Sequence, residues 1–535
     1  MAEPLPEPTE VRGHTVPRVY TPPLVTGPPG PCGCGCALTD ETSYGFDLVE
    51  FAAAVVGRPL DPWQRWAAIH LGELLPSGRP RFRRLLILVG RQNGKTELLV
   101  MLSLYLLYVA QVEIILGTST QVKYAKESWL KVVRAIKRSD ALRALLPDNR
   151  NQGIRRANGE QEVCVLREPG GDEDDGCRYL VATANEEGGR SLSIDLAILD
   201  ELRQHHDYSA WDAVVPATNA KPNGQVVAIT NMGDDRSVVL NDLIAECEEW
   251  IKTGDGDERL GMFSWTAPPN ADPLDVDALA AANPNLGHVR PGREHDGPVI
   301  DPDVLLSQAR GAVRAGGKKL AGFRTEVMCQ RVRNLDPAID PDAWLRCLSL
   351  GDLSEVRAQV ALCVDVSVDA QHATLVAAAL LPDGRVRVEP VESWSGPGCT
   401  VELVSALPAL VARIKPRSLG WLAGGPAGAL SVDLKKRRGW PPRGVTLVPI
   451  KADVADVCMG FAAAIAGEQV AHSADPLLDA HVAVAEPIRT GDRWVFGRRG
   501  AGHVDALYAA AGARHLALSL PRTVAASRVI VAGPS

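Results

Sequence analysis

The stretch RLLILVG-RQNGKT-ELLVMLSLYLLY, residues 84–108, constrains this chain more than any other. It sets an apolar strand-like run, a short polar loop with a glycine and a long helical pattern in immediate succession. That order is the frame of a phosphate-binding loop. The full motif, G-x-x-x-x-G-K-[ST], asks for glycine at position 89, where Val89 stands, while Gly94, Lys95 and Thr96 fill its last three positions. Backbone N–H groups of Arg91, Gln92, Asn93, Gly94, Lys95 and Thr96, with the helix N-terminus behind them, are expected to surround phosphates. Lys95 is expected to reach the β- and γ-phosphates, and the Thr96 hydroxyl to ligate Mg²⁺.

A nucleotide site of this kind needs a second strand that ends in acid. SIDLAILDE supplies it, with Asp200 expected to hold Mg²⁺ and Glu201 to orient and polarise the attacking water. The alternative for two adjacent acids is a solvated loop or a helix cap. Around these motifs, RLLILVG, VEIILGTS, CRYLVATA, IDLAILDE and GQVVAITN alternate with helical patterns, the rhythm of a parallel βαβ sheet. The segment from 234 to about 335 reads as mostly helical, without a strong strand.

RQNGKT, LAILDE and VVAITNMG together resemble the large terminase subunit of tailed bacteriophages, a family that tolerates loss of the first loop glycine. The resemblance covers roughly residues 46–520. It implies that Arg91 is the basic residue of the loop and that Gln64, in LDPWQRWA, offers its amide to the adenine edge. From the residues alone, the same stretch reads as a helix start, with Asp61 as cap and Pro62 at the first position. The resemblance further implies Arg190 as an arginine finger acting between subunits, Thr230 and Asn231 as a motif sensing the γ-phosphate, and DNA-facing polar residues in GTSTQVKYAKES.

A second alternation starts beyond LDPAIDPDAW, residues 335–344, with strand-like QVALCVDVSVD and HATLVAAALL. A helix near 401–414, a strand at SLGWLAGG and a helical pattern to the C-terminus follow. Asp365 sits inside the first strand's apolar pattern, where a charge costs several kcal/mol unless paired or bound to metal. RNase H-like nucleases place their first metal-binding aspartate there, and use two Mg²⁺ or Mn²⁺ ions. Asp505, on a helix of small residues, resembles the last acid of terminase nucleases; its plain alternative is a charge favoured by the helix dipole. Asp369 is a further ligand candidate or a turn residue. The family's middle carboxylate is missing, since Gly424, Gly425 and Pro426 close the strand SLGWLAGGPAG. Glu402 is the first substitute, with Glu392 and Asp433 behind it.

The expected fold is thus α/β: a P-loop ATPase with a RecA/ASCE-like parallel sheet, then an RNase H-like nuclease domain. The expected boundaries are a flexible N-terminal arm at 1–45, the ATPase at 46–335 including a helical lid at 234–335, a linker at 336–355, the nuclease at 356–525 and a tail at 526–535. By the resemblance, the chain is an ATP-driven motor that packages viral DNA and cuts concatemers. Its implied partners are double-stranded DNA, a capsid portal protein, a small terminase subunit and further copies of itself in a ring. Two alternatives are a helicase-nuclease of repair or restriction and a nucleotide-gated binding protein with an inactive second domain. The first needs a second RecA-like core, and only one is legible.

The remaining properties set bounds. The 535 residues are enough for two or three domains. The net charge of −8 is mildly against a nucleic-acid binder, unless basic groups such as those of KKRRG line one face. No run of eighteen apolar residues and no basic-then-apolar leader is present, so the cytoplasm of the host bacterium, and transiently the portal, is the expected location. The eleven cysteines are expected to be reduced. Cys32, Cys34 and Cys36, in PCGCGC, lack the C-x-x-C spacing of a zinc site and read as free thiols of a flexible tail.

Overall fold

The computed structural model describes residues 11–119, 122–157, 161–183, 192–332, 335–429, 439–498 and 502–521. The chain divides into two compact units, Met1–Val332 and Arg333–Ser535.

The first unit is built on a nine-stranded sheet. Its strands are β1 (Val19–Tyr20), β2 (Arg84–Leu88), β3 (Ile114–Ser119), β4 (Ile154–Arg155), β5 (Gln161–Val165), β6 (Cys177–Thr183), β7 (Leu196–Asp200), β8 (Gln225–Thr230) and β9 (Leu260–Ser264), in the order β1-β9-β2-β8-β7-β3-β6-β5-β4. The six from β9 to β6 run parallel, and the edge pairs are antiparallel. Both faces are covered, which is why β2 reads as an unbroken apolar run. Leu85, Ile87 and Val89 enter one core, with helices Pro62–Leu71 and Lys95–Tyr108. Leu86 and Leu88 enter the other, with helices Ser209–Asn219 and Val238–Thr253. Strand β2 lies between β9 and β8, so the loop that follows it leaves the middle of the parallel sheet at its C-terminal edge, where open α/β sheets bind ligands.

Two expectations for this unit are corrected. The segment read as a strandless lid contains β9, fully buried and parallel to β2. Its sequence, LGMFS, lacks a β-branched residue, and Gly261 is set by packing: a Cβ there would stand 2.5 Å from the Phe82 ring. The N-terminal arm is docked over its described part. Strand β1 pairs with β9, the Gly13 N–H donates to the Leu286 carbonyl, and the N–H groups of Leu24 and Val25 donate to the Glu73 carboxylate. Glu73 in turn is ion-paired with Arg81 at 2.6 Å, both buried. These are backbone and buried-charge contacts, which leave no apolar periodicity to read.

The second unit has a six-stranded sheet of β10 (Ala361–Val366), β11 (His372–Leu380), β12 (Val386–Ser395), β13 (Ser418–Leu422), β14 (Thr446–Ile450) and β15 (Val470–His472), in the order β14-β13-β10-β11-β12-β15. Strands β10, β11 and β12 form an antiparallel meander, and β13 and β14 lie parallel to β10, the RNase H-like arrangement. Helix Asp505–Ser519 packs on one face and helix Cys399–Ile414 on the other. The close approach of the first needs its small residues: a Cβ on Gly512 would lie 2.5 Å from Cys363 Sγ. The helical pattern expected toward the C-terminus is interrupted by β14, β15 and a hairpin of β16 (Pro487–Thr490) and β17 (Arg493–Phe496). The expected linker at 336–355 belongs to this unit. Pro341 opens the helix Pro341–Arg346, capped by Asp340, and Ile339, Ala343 and Trp344 are core residues. Pro341, within the stretch LDPAIDPDAW, marks a helix start.

Candidate nucleotide and metal sites

Val89 explains the missing glycine. It is fully buried, and its N–H donates to the Thr230 carbonyl, so it prolongs the ladder of β2 with β8. The glycine that the loop requires is Gly90, one residue later. A Cβ there would stand 2.8 Å from the Val327 carbonyl oxygen and 2.9 Å from Asn283 Oδ1. The loop then turns through left-handed backbone at Gln92 (φ 65) and Gly94 (φ 85), which caps helix Lys95–Tyr108. That helix presents unpaired N–H groups of its first turn, the usual seat of a phosphate.

The loop is braced from outside. Trp63 Nε1 donates to the Asn93 carbonyl, and Gln64 Nε2 to the Gly94 carbonyl, each at 2.9 Å. Asn93 Nδ2 donates to Asn283 Oδ1 and its Oδ1 accepts from the Asn285 N–H, both at 3.0 Å. Asn285 and Arg290 both donate to Asp61. Gln64 Oε1 accepts from the Asp61 N–H at 2.9 Å, so each end of the Gln64 amide makes one bracing bond. The amide thus holds the loop and the helix start together, and Gln64 also lines the cavity over the loop, with a second N–H beyond the one given to Gly94.

Glu201 stands in left-handed backbone (φ 58, ψ 48) just past β7. Its carboxylate accepts from Arg203 Nε at 2.9 Å; Arg203 also meets Glu326 at 3.5 Å, and Glu326 meets Arg91 at 2.8 Å. This chain of alternating charges joins the loop to the end of β7. Asp200 is half-buried and accepts from Ser128 Oγ at 3.3 Å. Burial, followed by the charge of Glu201, pushes its carboxyl up to about 6 against the opposing pull of Lys95. A carboxylate this short of positive charge fits a divalent cation. Lys95 Nζ donates to the Val89 carbonyl at 3.2 Å, and burial lowers its ammonium against the attraction of Glu201 and Asp200.

A cavity of about 830 Å³ opens over the loop, lined by Arg91, Gln92, Gly94, Lys95, Thr96 and Glu201 among others. Arg58, Lys131, Arg290 and Arg293 add positive charge to its wall, which suits a polyphosphate. Thr230 and Asn231 do not reach this wall. Both are buried at the end of β8, where Asn231 Nδ2 donates to the Thr325 carbonyl beside Glu326, and Asn231 Oδ1 has no partner. Arg190 lies outside the described residues, as do Asp433 and the basic run 435–438.

In the second unit, alternation along β10 and β11 points Asp365 and its cross-strand partner Thr374 to the face covered by helix Asp505–Ser519. Thr374 Oγ1 donates to Asp505 Oδ2 at 2.5 Å. Asp505 Oδ1 is buried without a hydrogen-bond partner, because His481 Nδ1, 3.8 Å away, already accepts from the Ala506 N–H. The ring centroids of His372 and His503 lie 3.5 Å apart with the planes tilted by 32°, and His503 lies 6.5 Å from His481. Asp365 is held by Arg498, yet burial still pushes its carboxyl up to about 6. The gap at the end of β13 has an occupant, since a Cβ on Gly425 would lie 3.5 Å from Arg498 Nη2. A guanidinium stands beside the place where the family's third acid would reach.

Among the described residues Glu402 and Glu392 stand as the substitutes, with Asp369 as the further ligand candidate. Glu402 and Glu392 are exposed, and Asp369 closes the β10–β11 turn by accepting from Ser367 Oγ and the Gln371 N–H. Asp505 Oδ1 is a buried carboxylate oxygen without a hydrogen-bond partner, and Asp365 is open to a cation only once Arg498 releases both of its oxygens.

Sequence reasoning missed Arg203, Glu326, Asn283, Asn285 and Arg498. None belongs to a motif, and each arrives from a segment distant in sequence. The tightly spaced N-P-N of Asn283–Asn285 was the one local signal, marking a turn.

No family model and no curated protein matches this chain. Among solved structures it is similar to the HK97 bacteriophage large terminase, at 18% identity over 88% of this chain and 100% of that one, with a TM-score of 0.43. It is also similar to the ATPase domain of the Thermus phage P74-26 large terminase, at 19% identity over 34% of this chain and 68% of that one, with a TM-score of 0.28. The large terminase nuclease of a thermophilic phage, with bound magnesium, is similar at 18% identity over 29% and 81%, with a TM-score of 0.23.

Proposed function

We propose that this chain is the large subunit of a phage terminase: an ATP-driven motor that moves duplex DNA and carries a metal-dependent nuclease in its second unit. The observation that carries the reading is the pairing, in one chain, of a braced phosphate loop beside Asp200 and Glu201 with an RNase H-like sheet whose Asp365 faces the helix that begins at Asp505.

The loop N–H groups and Lys95 bind the phosphates; Thr96 and Asp200 hold Mg²⁺, which when bound neutralises charge on the phosphate oxygens. Glu201 orients the attacking water once Arg203 yields its carboxylate. The route Arg91–Glu326–Arg203–Glu201, with Asn231 tied to Thr325, supplies a connection by which the state of the phosphates shifts helix Gly317–Glu326. Arg190 acts between subunits in a ring. In the second unit, Asp365 and Asp505 would hold Mg²⁺ or Mn²⁺ ions, two by the family resemblance, with Arg498 displaced from Asp365. The portal protein, a small terminase subunit and the host cytoplasm complete the setting. Among the described residues no helix is long and apolar enough to cross a membrane.

The test is cleavage of supercoiled plasmid by the full chain with Mn²⁺, compared with Asp505→Asn. Cleavage lost in the variant supports the nuclease; equal cleavage by both refutes its placement at this site.

A further inference from the structure

The segment PCGCGC lies on the last turn of helix Pro62–Leu71. An extended chain would spread Cys32 and Cys36 about 13 Å apart. Here Gly33 (φ 86) and Gly35 (φ 89) turn the backbone through left-handed conformations open to glycine, and the Gly30 N–H closes the turn on the Cys36 carbonyl at 2.6 Å. The three thiols thereby converge on one point, and His70 completes it. Cys34 Sγ lies 3.5 Å and Cys32 Sγ 3.9 Å from His70 Nε2, and the four ligand atoms all fall within 4.8 Å of one another. A tetrahedral ion with Zn–S near 2.3 Å and Zn–N near 2.0 Å sets its sulfur and nitrogen ligands ~3.6 Å apart. The His70 ring is buried and fixed by stacking on Trp66 at 3.7 Å, with Nε2 facing the sulfurs.

We propose that Cys32, Cys34, Cys36 and His70 form a structural Zn²⁺ site. Binding releases three thiol protons to solvent and involves no change of oxidation state. Three thiolates, one neutral imidazole and Zn²⁺ leave one negative charge. Arg65, whose Nη1 donates to the Cys32 carbonyl at 3.3 Å and Nη2 to the Pro31 carbonyl at 3.4 Å, stands beside it. A Cys₃His set with every position filled by protein is a closed site, suited to holding structure rather than to catalysis. The expectation of a flexible tail is corrected by this convergence; the three cysteines are free of disulfides. C-x-C-x-C hid the site because the fourth ligand lies 34 residues beyond Cys36. The ion fastens the turn 30–38 to the end of the helix whose first turn, through Trp63 and Gln64, braces the phosphate loop.

The full chain, purified without chelator and exhaustively dialysed, is expected to retain close to one Zn²⁺ per molecule by elemental mass spectrometry. Cys34→Ser with Cys36→Ser is expected to lose it. Replacement by Co²⁺ is expected to give thiolate-to-metal charge-transfer bands and the intense visible bands of a tetrahedral ion, a readout that needs no variant. Wild-type protein without bound zinc, zinc retained by the double variant, a six-coordinate Co²⁺ spectrum, or a disulfide among the three cysteines on alkylation mapping would each overturn the proposal.

Discussion

Arg498 takes both carboxylate oxygens of Asp365, Nη1 to Oδ2 at 2.6 Å and Nη2 to Oδ1 at 3.0 Å, with its guanidinium 3.7 Å above the Tyr508 ring. The pair is planar, two-pronged and largely desolvated. It occupies the acid proposed to hold a metal ion at this site.

Removing Arg498 therefore frees Asp365 for a cation. In Mn²⁺-dependent plasmid nicking, Arg498→Ala is expected to cleave several-fold faster than the unaltered chain, and Arg498→Ala with Asp505→Asn not to cleave. Slower cleavage by Arg498→Ala alone would show that the guanidinium assists cutting instead of blocking it. Asp365→Ala is the poorer probe, because it strands a buried guanidinium at a cost of about 3–5 kcal/mol.

Restoring the motif's missing glycine is expected to harm the protein. Val89 is fully buried in the first unit's core. Val89→Gly should cost about 2–4 kcal/mol in lost burial and added chain entropy, with no gain in nucleotide affinity. Gly90→Ala, by contrast, should reduce ATP hydrolysis at least ~10-fold through the clash with Val327 and Asn283. Urea unfolding and steady-state hydrolysis separate the two effects; tighter nucleotide binding by Val89→Gly would contradict the assignment.

Because both recorded hydrogen bonds of the Gln64 amide brace the loop, Gln64→Ala is expected to weaken ATP and GTP use equally. A change in the ratio of their kcat/KM values would return adenine recognition to this residue.

His205 gives the first unit an acid-sensitive element. It is buried with Nε2 unpartnered, and burial pushes its imidazole down to about 4 from 6.5. The unfolded chain takes up this proton as pH falls below 6.5, while the native state does so only near 4. Stability is thus unaffected above 6.5 and lost as pH falls from 6.5 to 4, by about 3 kcal/mol. Hydrogen exchange at β7 across that window should show a shallower loss in His205→Gln; an unchanged slope would assign the acid sensitivity to other groups.

The parts legible in the sequence are those where one segment carries both the pattern and the chemistry. RLLILVGRQNGKT and LAILDE announced strand, loop, helix and acid because each is contiguous. Asp365 was legible as a charge inside an apolar strand. What stayed hidden depends on distant segments meeting. The bond by which the Gln64 amide braces Gly94 joins segments thirty residues apart. Gly425 looks like an empty place until Arg498, 73 residues on, is found beside it. Strand β9 is short and carries methionine and glycine, so its burial between β1 and β2 comes from pairing, which local propensity does not encode.

The central claim is that the cavity over the loop hydrolyses ATP to move DNA, with Glu201 positioning the water. The most direct measurement is steady-state ATP hydrolysis by the full chain, with and without duplex DNA, beside Glu201→Gln. The account predicts hydrolysis stimulated by DNA, reduced at least ~100-fold in the variant, with nucleotide affinity preserved. Hydrolysis by Glu201→Gln equal to that of the unaltered chain would contradict it.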